Sequence, residues 1–270
     1  EYQLNASLPV KFYVERGVSQ YETGPAILIS GPSWANWHHW LLEMLPRLWS
    51  IQAIPALGEL PLLLRGPLHP FQVETLQALG IAPSRILLFT GESLQIQTLI
   101  FPSYIANLNC SIQNVTWLRE NMLPAFSIQT EQPAKNMIYL SRKHSSRSVI
   151  NDEAVATALH SRGFQSVCME DKSVREQLHI LNSARIIVTP HGAGATGIIF
   201  CQPETILIEL MPFSYRHFIN VSYASYNRCY YGCLICADNG PAHLEIMVDI
   251  DALLRVVDTI LTAGPASGRP

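Results

Sequence analysis

Charge is scarce in this 270-residue chain: Asp, Glu, Lys and Arg make up only 14%, and the formal net charge is −3. A nucleic-acid partner calls for a basic face that displaces counterions, and the scattered basic residues supply none. Long apolar runs are also missing. No stretch approaches the roughly 18 residues that a membrane-spanning helix requires. No leader peptide is visible, and the chain opens in mid-pattern at Glu1. Repeats and low-complexity tracts are absent, which argues against solenoid and disordered classes. There is no Gly-x-Ser-x-Gly elbow either, which weighs against a nucleophile-elbow hydrolase. The six cysteines form no finger or ribbon pattern. Cys229, Cys233 and Cys236 with His243 are the one conceivable zinc set, and half-buried thiols are the plainer reading.

What is present is a globular pattern, with 48% hydrophobic residues. Its most informative stretch is Ile186-Ile187-Val188-Thr189-Pro190-His191-Gly192-Ala193-Gly194-Ala195-Thr196-Gly197. A β-branched run stops at a proline, and a histidine and small residues follow. This order reads as a buried parallel strand, a tight turn and a helix start. Such turns bind anions, because helix amino termini offer N–H groups and glycine lets a phosphate approach the backbone.

Around this stretch strands and helices alternate. Strands are expected at Met137–Leu140, Phe164–Met169, Arg185–Val188 and Thr205–Leu210. Helices are expected at Asp152–Arg162 and Val174–Ser183, with a short one at Gly194–Phe200. That rhythm indicates a doubly wound parallel sheet. The first half alternates more loosely, with a helix from Trp34 to about Ile51 that Pro46 should kink. The polar stretch Gln129–Asn136 is the natural linker. The predicted fold is therefore α/β, with two Rossmann-like domains facing each other across a cleft, at residues 1–130 and 131–270.

Three constellations carry chemistry. In Asn36-Trp37-His38-His39-Trp40-Leu41-Leu42-Glu43, helical spacing puts His39, Glu43 and Arg47 on one face. A carboxylate beside an imidazole fixes its tautomer and suits a general base; a solvated ion-pair face is the bland alternative. The basic loop Ser141–Asp152 follows a strand, and Arg142 and Arg147 could clamp a diphosphate; Asn151 or Asp152 reads as a helix cap. The third is the His191 turn with Glu209 late in the next strand, where ribose hydroxyls are the natural partner for a carboxylate.

These segments, in order over about residues 25–212, resemble glycosyltransferase family 61. The matching pieces are Asn36–Trp40 with Glu43, then Ser141-Arg142, Arg147 and Asn151-Asp152. Gly163-Phe164, Glu170, Gln177, Ala184, Pro190–Gly194, Phe200, Pro203 and Glu209-Leu210 complete the series. The family often has a bulky apolar residue and an asparagine where this chain has Ala195 and Gly197. The resemblance implies a GT-B fold and inverting sugar transfer from a nucleotide donor, usually a UDP-sugar, to a glycan or glycoprotein acceptor. No cofactor or essential metal is implied. It assigns the base to His39 or Glu43. Donor contacts would fall to Arg142, Arg147, Asn151, His191, Gly192, Ala193, Gly194 and Glu209. The competing reading is a non-catalytic module that binds nucleotide sugars or glycans. The expected compartment is the cytoplasm, at a membrane surface if a glycan is built there. The secretory lumen is the alternative, in which the sequons at Asn5, Asn109, Asn114 and Asn220 would matter.

Overall fold

The computed structural model describes residues 20–91, 93–102, 111–130, 132–142, 147–240 and 245–263. Asn5, Asn109, His243 and the centre of the basic loop, Lys143–Ser146, lie outside the described residues. The chain folds as mixed α/β around two sheets. The first has the order β3-β2-β1-β4, with β1 at Gln20–Leu28, β2 at Leu62–Arg65, β3 at Ile86–Phe89 and β4 at Leu94–Ile100. All its pairings are parallel.

The second sheet has the order β10-β9-β8-β7-β5-β6. Its strands are β5 (Asn136–Ser141), β6 (Gln165–Cys168), β7 (Ala184–Pro190), β8 (Ile206–Pro212) and β9 (Tyr230–Asp238), with β10 at Ile246–Met247. Only β10 pairs antiparallel. The chain leaves β5 for β6 on one side and returns to β7 on the other. Strands β5 and β7 therefore bound a topological switch point, and a crevice opens beyond their carboxyl ends.

Pro46 does more than kink the first helix. The chain forms α1 at Trp37–His39, a π-helical turn at Trp40–Met44 and α2 at Arg47–Gln52. The Leu45 N–H reaches five residues back to Trp40 O, at 2.9 Å. A proline ring clashes with the carbonyl four residues before it and offers no N–H, and the wider turn accommodates both. This overturns the expected single row of His39, Glu43 and Arg47. Arg47 turns inward, only 2% exposed, and gives its guanidinium to the carbonyls of Glu43, Leu28 and Ser30.

One apolar core joins the two sheets. It runs from Ile27, Leu41, Leu62 and Leu118 to Leu140, Leu181, Ile198 and Tyr223. A second core, with Val155, Phe164, Ile208 and Leu253, lies under α5 (Asp152–His160) and α8 (Ile250–Ala263). Polar links reinforce the junction. Glu74, on α3 (Pro70–Ala78), accepts the N–H groups of Val174 and Arg175 at 2.8 and 3.1 Å. It thereby caps the amino end of α6 (Val174–Ser183), a favourable place for a carboxylate. Arg119, on α4 (Ile112–Ala125), donates to Cys201 O at 2.7 Å. Asn114 and Asn220 are 3% and 2% exposed, so neither sequon presents its amide for glycosylation in the folded chain.

Candidate active site

The switch-point crevice opens into a cavity of about 410 Å³. One wall is Ala35–Trp37 and His69–Phe71 from the first half, and the other is Leu140–Arg142, Met169, Glu170, Lys172 and the start of the turn after β7. That turn is built around Gly192. Its φ of 152° and ψ of −167° belong to glycine, and a Cβ there would overlap the Arg142 guanidinium. Because the Cβ is missing, Arg142 crosses directly over the turn, with Nη1 donating to His191 O at 2.6 Å. Burial lowers the Arg142 pKa, Glu170 counters this, and Arg147 adds to it. An arginine starts so high that it stays charged. A 3-10 helix then runs Ala193–Phe200, and its first residues, Ala193 and Gly194, line the cavity. Leu181 fills the space beside Gly197, where a Cβ would lie 2.8 Å from either of its methyl carbons.

His191 itself does not line the cavity, and Glu209 holds its ring. Glu209 sits mid-strand in β8 and is completely buried. Its Oε1 accepts from His191 Nδ1 at 2.7 Å and from Asn220 Nδ2 at 2.8 Å, and its Oε2 accepts from Tyr231 OH at 2.8 Å. This arrangement corrects the expectation that Glu209 meets ribose hydroxyls: no surface is left for them. A carboxylate accepts only, so the His191 proton sits on Nδ1 and Nε2 is left as the working atom. Burial and the Glu209 charge push the Tyr231 pKa up, which keeps it a neutral donor.

Asn151 is corrected in the same way. It occupies the N-cap position of α5 but makes no side-chain cap hydrogen bond; its side-chain amide donates to Val248 O at 2.8 Å and accepts from Val248 N at 3.0 Å. Both ends of the amide are thus occupied in bracing the stretch between β10 and α8. Asp152 is likewise structural, accepting from Tyr139 OH and Ser141 Oγ at 2.7 and 2.8 Å. Arg147 reaches the site through an aromatic ring, lying 5.2 Å over Tyr215, which itself meets the His191 ring at 5.5 Å.

Across the junction, His39 Nδ1 donates to Glu43 Oε1 at 2.8 Å, and the two side chains are 26% and 14% exposed. Between this pair and the His191 turn lies His38, which sequence reasoning passed over. Its Nδ1 pairs with Thr196 Oγ1 at 2.7 Å, and its ring meets those of His39 at 5.2 Å and Tyr223 at 5.9 Å. Burial, with charge from His39, His217 and His191, pushes its pKa down to about 4. Thr196, Glu170, Lys172 and Tyr215 also join the site from outside the expected set. The doublet His38-His39 was the only sequence signal that could have pointed to the first of these contacts. The conceivable zinc set fares worse: Cys233 and Cys236 stand three apart on β9, exposed and buried respectively, on opposite faces.

A parallel α/β protein with an arginine, a glycine turn and a histidine pair converging at its switch point has the build of an anion-handling enzyme. The family model of glycosyltransferase 61 matches residues 37–208, from the first helix to the middle of β8. The chain belongs to the glycosyltransferase 61 family. No curated protein matches it.

Proposed function

We propose that this chain is an inverting, metal-independent glycosyltransferase of GT-B architecture, with a UDP-sugar as donor. Residues 1–130 form the acceptor-side domain and 131–270 the donor-side domain. The observation that carries the reading is Arg142 crossing Gly192 at the mouth of the cavity. It places a fixed positive charge beside the first N–H groups of the Ala193–Phe200 helix, where a leaving diphosphate needs compensation. The nucleoside occupies the cavity, with Glu170 in the part first given to Glu209 as partner of the ribose hydroxyls. The diphosphate lies on Arg142 and the Gly192–Gly194 turn, Arg147 adds charge from the rim, and His191 Nε2 contacts the phosphate nearer the sugar.

The transferred sugar then projects towards the histidine cluster. His39 takes the proton of the acceptor hydroxyl on Nε2 as that oxygen attacks the anomeric carbon, and Glu43 steadies the imidazolium on the other side. The diphosphate departs from the opposite face, so the anomeric configuration inverts. The acceptor is a glycan or glycoprotein hydroxyl, met in the cytoplasm or at a membrane face. No helix among the described residues is long and apolar enough to cross a membrane.

Calorimetric titration with UDP, GDP, CMP and ADP in EDTA tests the donor assignment. UDP should bind selectively, and Arg142→Ala should weaken it at least about tenfold, as loss of a charge-assisted hydrogen bond does. Absence of binding by every nucleotide would sink the donor site and favour the glycan-binding module.

A further inference from the structure

The loop after β8 has no part in the donor reading, yet it is the most exposed aromatic feature of the molecule's second half. Phe213-Ser214-Tyr215-Arg216-His217-Phe218 is exposed along its whole length, with the three aromatic rings at 61%, 38% and 46%. Its backbone is held nonetheless. Phe213 N–H donates to Cys236 O at 2.9 Å, and Ser214 N–H donates to Asp238 Oδ2 at 2.7 Å. Clustered apolar rings fixed in solvent mark a binding surface.

Two guanidinium groups and an imidazole ring lie on these rings. Arg216 sits 5.0 Å over Phe213, Arg147 sits 5.2 Å over Tyr215, and His217 stacks on Tyr215 at 6.1 Å and 17°. Arg216 makes no ion pair among the described residues. The ridge also borders the reacting centre of the proposed transfer. Tyr215 meets His191, and His217 is close enough to His38 to depress its pKa.

We infer that this ridge is the acceptor subsite and that it takes a sugar ring carrying an anionic group, a carboxylate or a phosphate. The inference rests on the transferase reading above. Aromatic faces pack against the C–H face of a pyranose while its hydroxyls stay in water. Guanidinium forks match planar carboxylate and phosphate oxygens in the same plane of approach. Three exposed rings with the Arg216 fork among them on one held loop suit an acidic glycan better than a neutral one.

Saturation-transfer NMR on the UDP-bound protein tests this with three probes: tetragalacturonate, galactose 6-phosphate and the neutral galactotetraose. At least one charged probe should be saturated more strongly than the neutral one, and which of the two responds identifies carboxylate or phosphate. Arg216→Gln should reduce that preference up to about fivefold, the upper range for an exposed ion pair. Phe213→Ala combined with Phe218→Ala should weaken the responding charged probe, with UDP affinity and melting temperature unchanged. Equal signals from neutral and charged probes, or none from any, overturn the proposal. So does loss of UDP binding in the Phe213 and Phe218 variant, which would hand the ridge to the donor. Failure of the wild type to bind UDP sinks the donor reading instead, and the probe signals still decide the ridge.

Discussion

His39 and His191 repeat one arrangement on opposite halves of the chain, and their surroundings separate them. Each gives its Nδ1 proton to a glutamate, at 2.8 Å for Glu43 and 2.7 Å for Glu209. Glu43 is a neighbour on the same helical turn, and its pair keeps contact with solvent. Glu209 comes from a different strand, has no exposure, and is held by Asn220 and Tyr231 as well. A partly exposed pair can take a proton from an entering hydroxyl and return it to water. A buried, saturated pair keeps one tautomer and one orientation, because any change strands polar groups away from water. On the proposed reading, the same two residue types are a base in one place and a fixed electrostatic element in the other.

The sharpest way to break this comparison is to remove each histidine. His39→Ala should lower turnover about 10²- to 10⁴-fold, the usual contribution of a general base, with UDP affinity nearly intact. His191→Ala should weaken UDP binding as well. Calorimetry and a turnover assay on both variants decide it. A His39→Ala protein whose main defect is donor affinity would reverse the two roles.

Removing the glutamates compares stability. Glu209→Ala strands two buried donors and one half-buried one and should cost about 3 kcal/mol or more, whereas Glu43→Ala should cost no more than about 1 kcal/mol. Urea denaturation of the pair reads the difference. Similar midpoints would show that the buried network is not the stronger one.

His38, between the two dyads, sharpens the comparison through pH. Its folded pKa of about 4 lies below the ordinary 6.5. The unfolded chain therefore takes up a proton first as pH falls. The contribution of neutral His38 to stability is complete above pH 6.5 and is lost progressively down to about pH 4. A shift of this size corresponds to something on the order of 3 kcal/mol. His38→Gln should flatten the fall in melting temperature between about pH 7 and 4.5. If both proteins lose equal melting temperature, another group carries the acid sensitivity.

Gly192 tests the crossing that the donor reading depends on. Alanine there must relieve both a positive φ and the overlap with Arg142, at a cost of about 1–3 kcal/mol. UDP affinity should fall with it, while the more distant Gly80→Ala, also at positive φ, should affect folding alone.

Much of this was legible in the sequence, for reasons tied to particular residues. The run Ile186–Pro190 could only be a buried strand, and the glycines after it could only be a turn. The alternation after Asn136 therefore showed four strands of the second sheet, β5 to β8, but not β9, β10 or the strand order. The pair His39–Glu43 followed from helical spacing alone. Arg47 did not, because the π-helical turn ahead of Pro46 shifts the register by one residue. Glu209 and Asn151 were misjudged because their partners, Tyr231, Asn220 and Val248, lie in a tail without a recognisable motif. Contacts between distant segments leave no period in a sequence.

The most conservative substitution separates the two dyads most finely. Tyr231→Phe removes one hydroxyl from the Glu209 carboxylate and leaves the ring, the strand and His191 in place. A single hydrogen bond from a neutral hydroxyl to a buried charge is worth about 1–2 kcal/mol, and among the described residues Glu209 Oε2 accepts from this hydroxyl alone. Stability should drop by about that amount. The pH profile of turnover should stay where it is, since the base sits on the other dyad. A profile that moves in Tyr231→Phe would mean that His191, tuned through Glu209, titrates in the reaction itself.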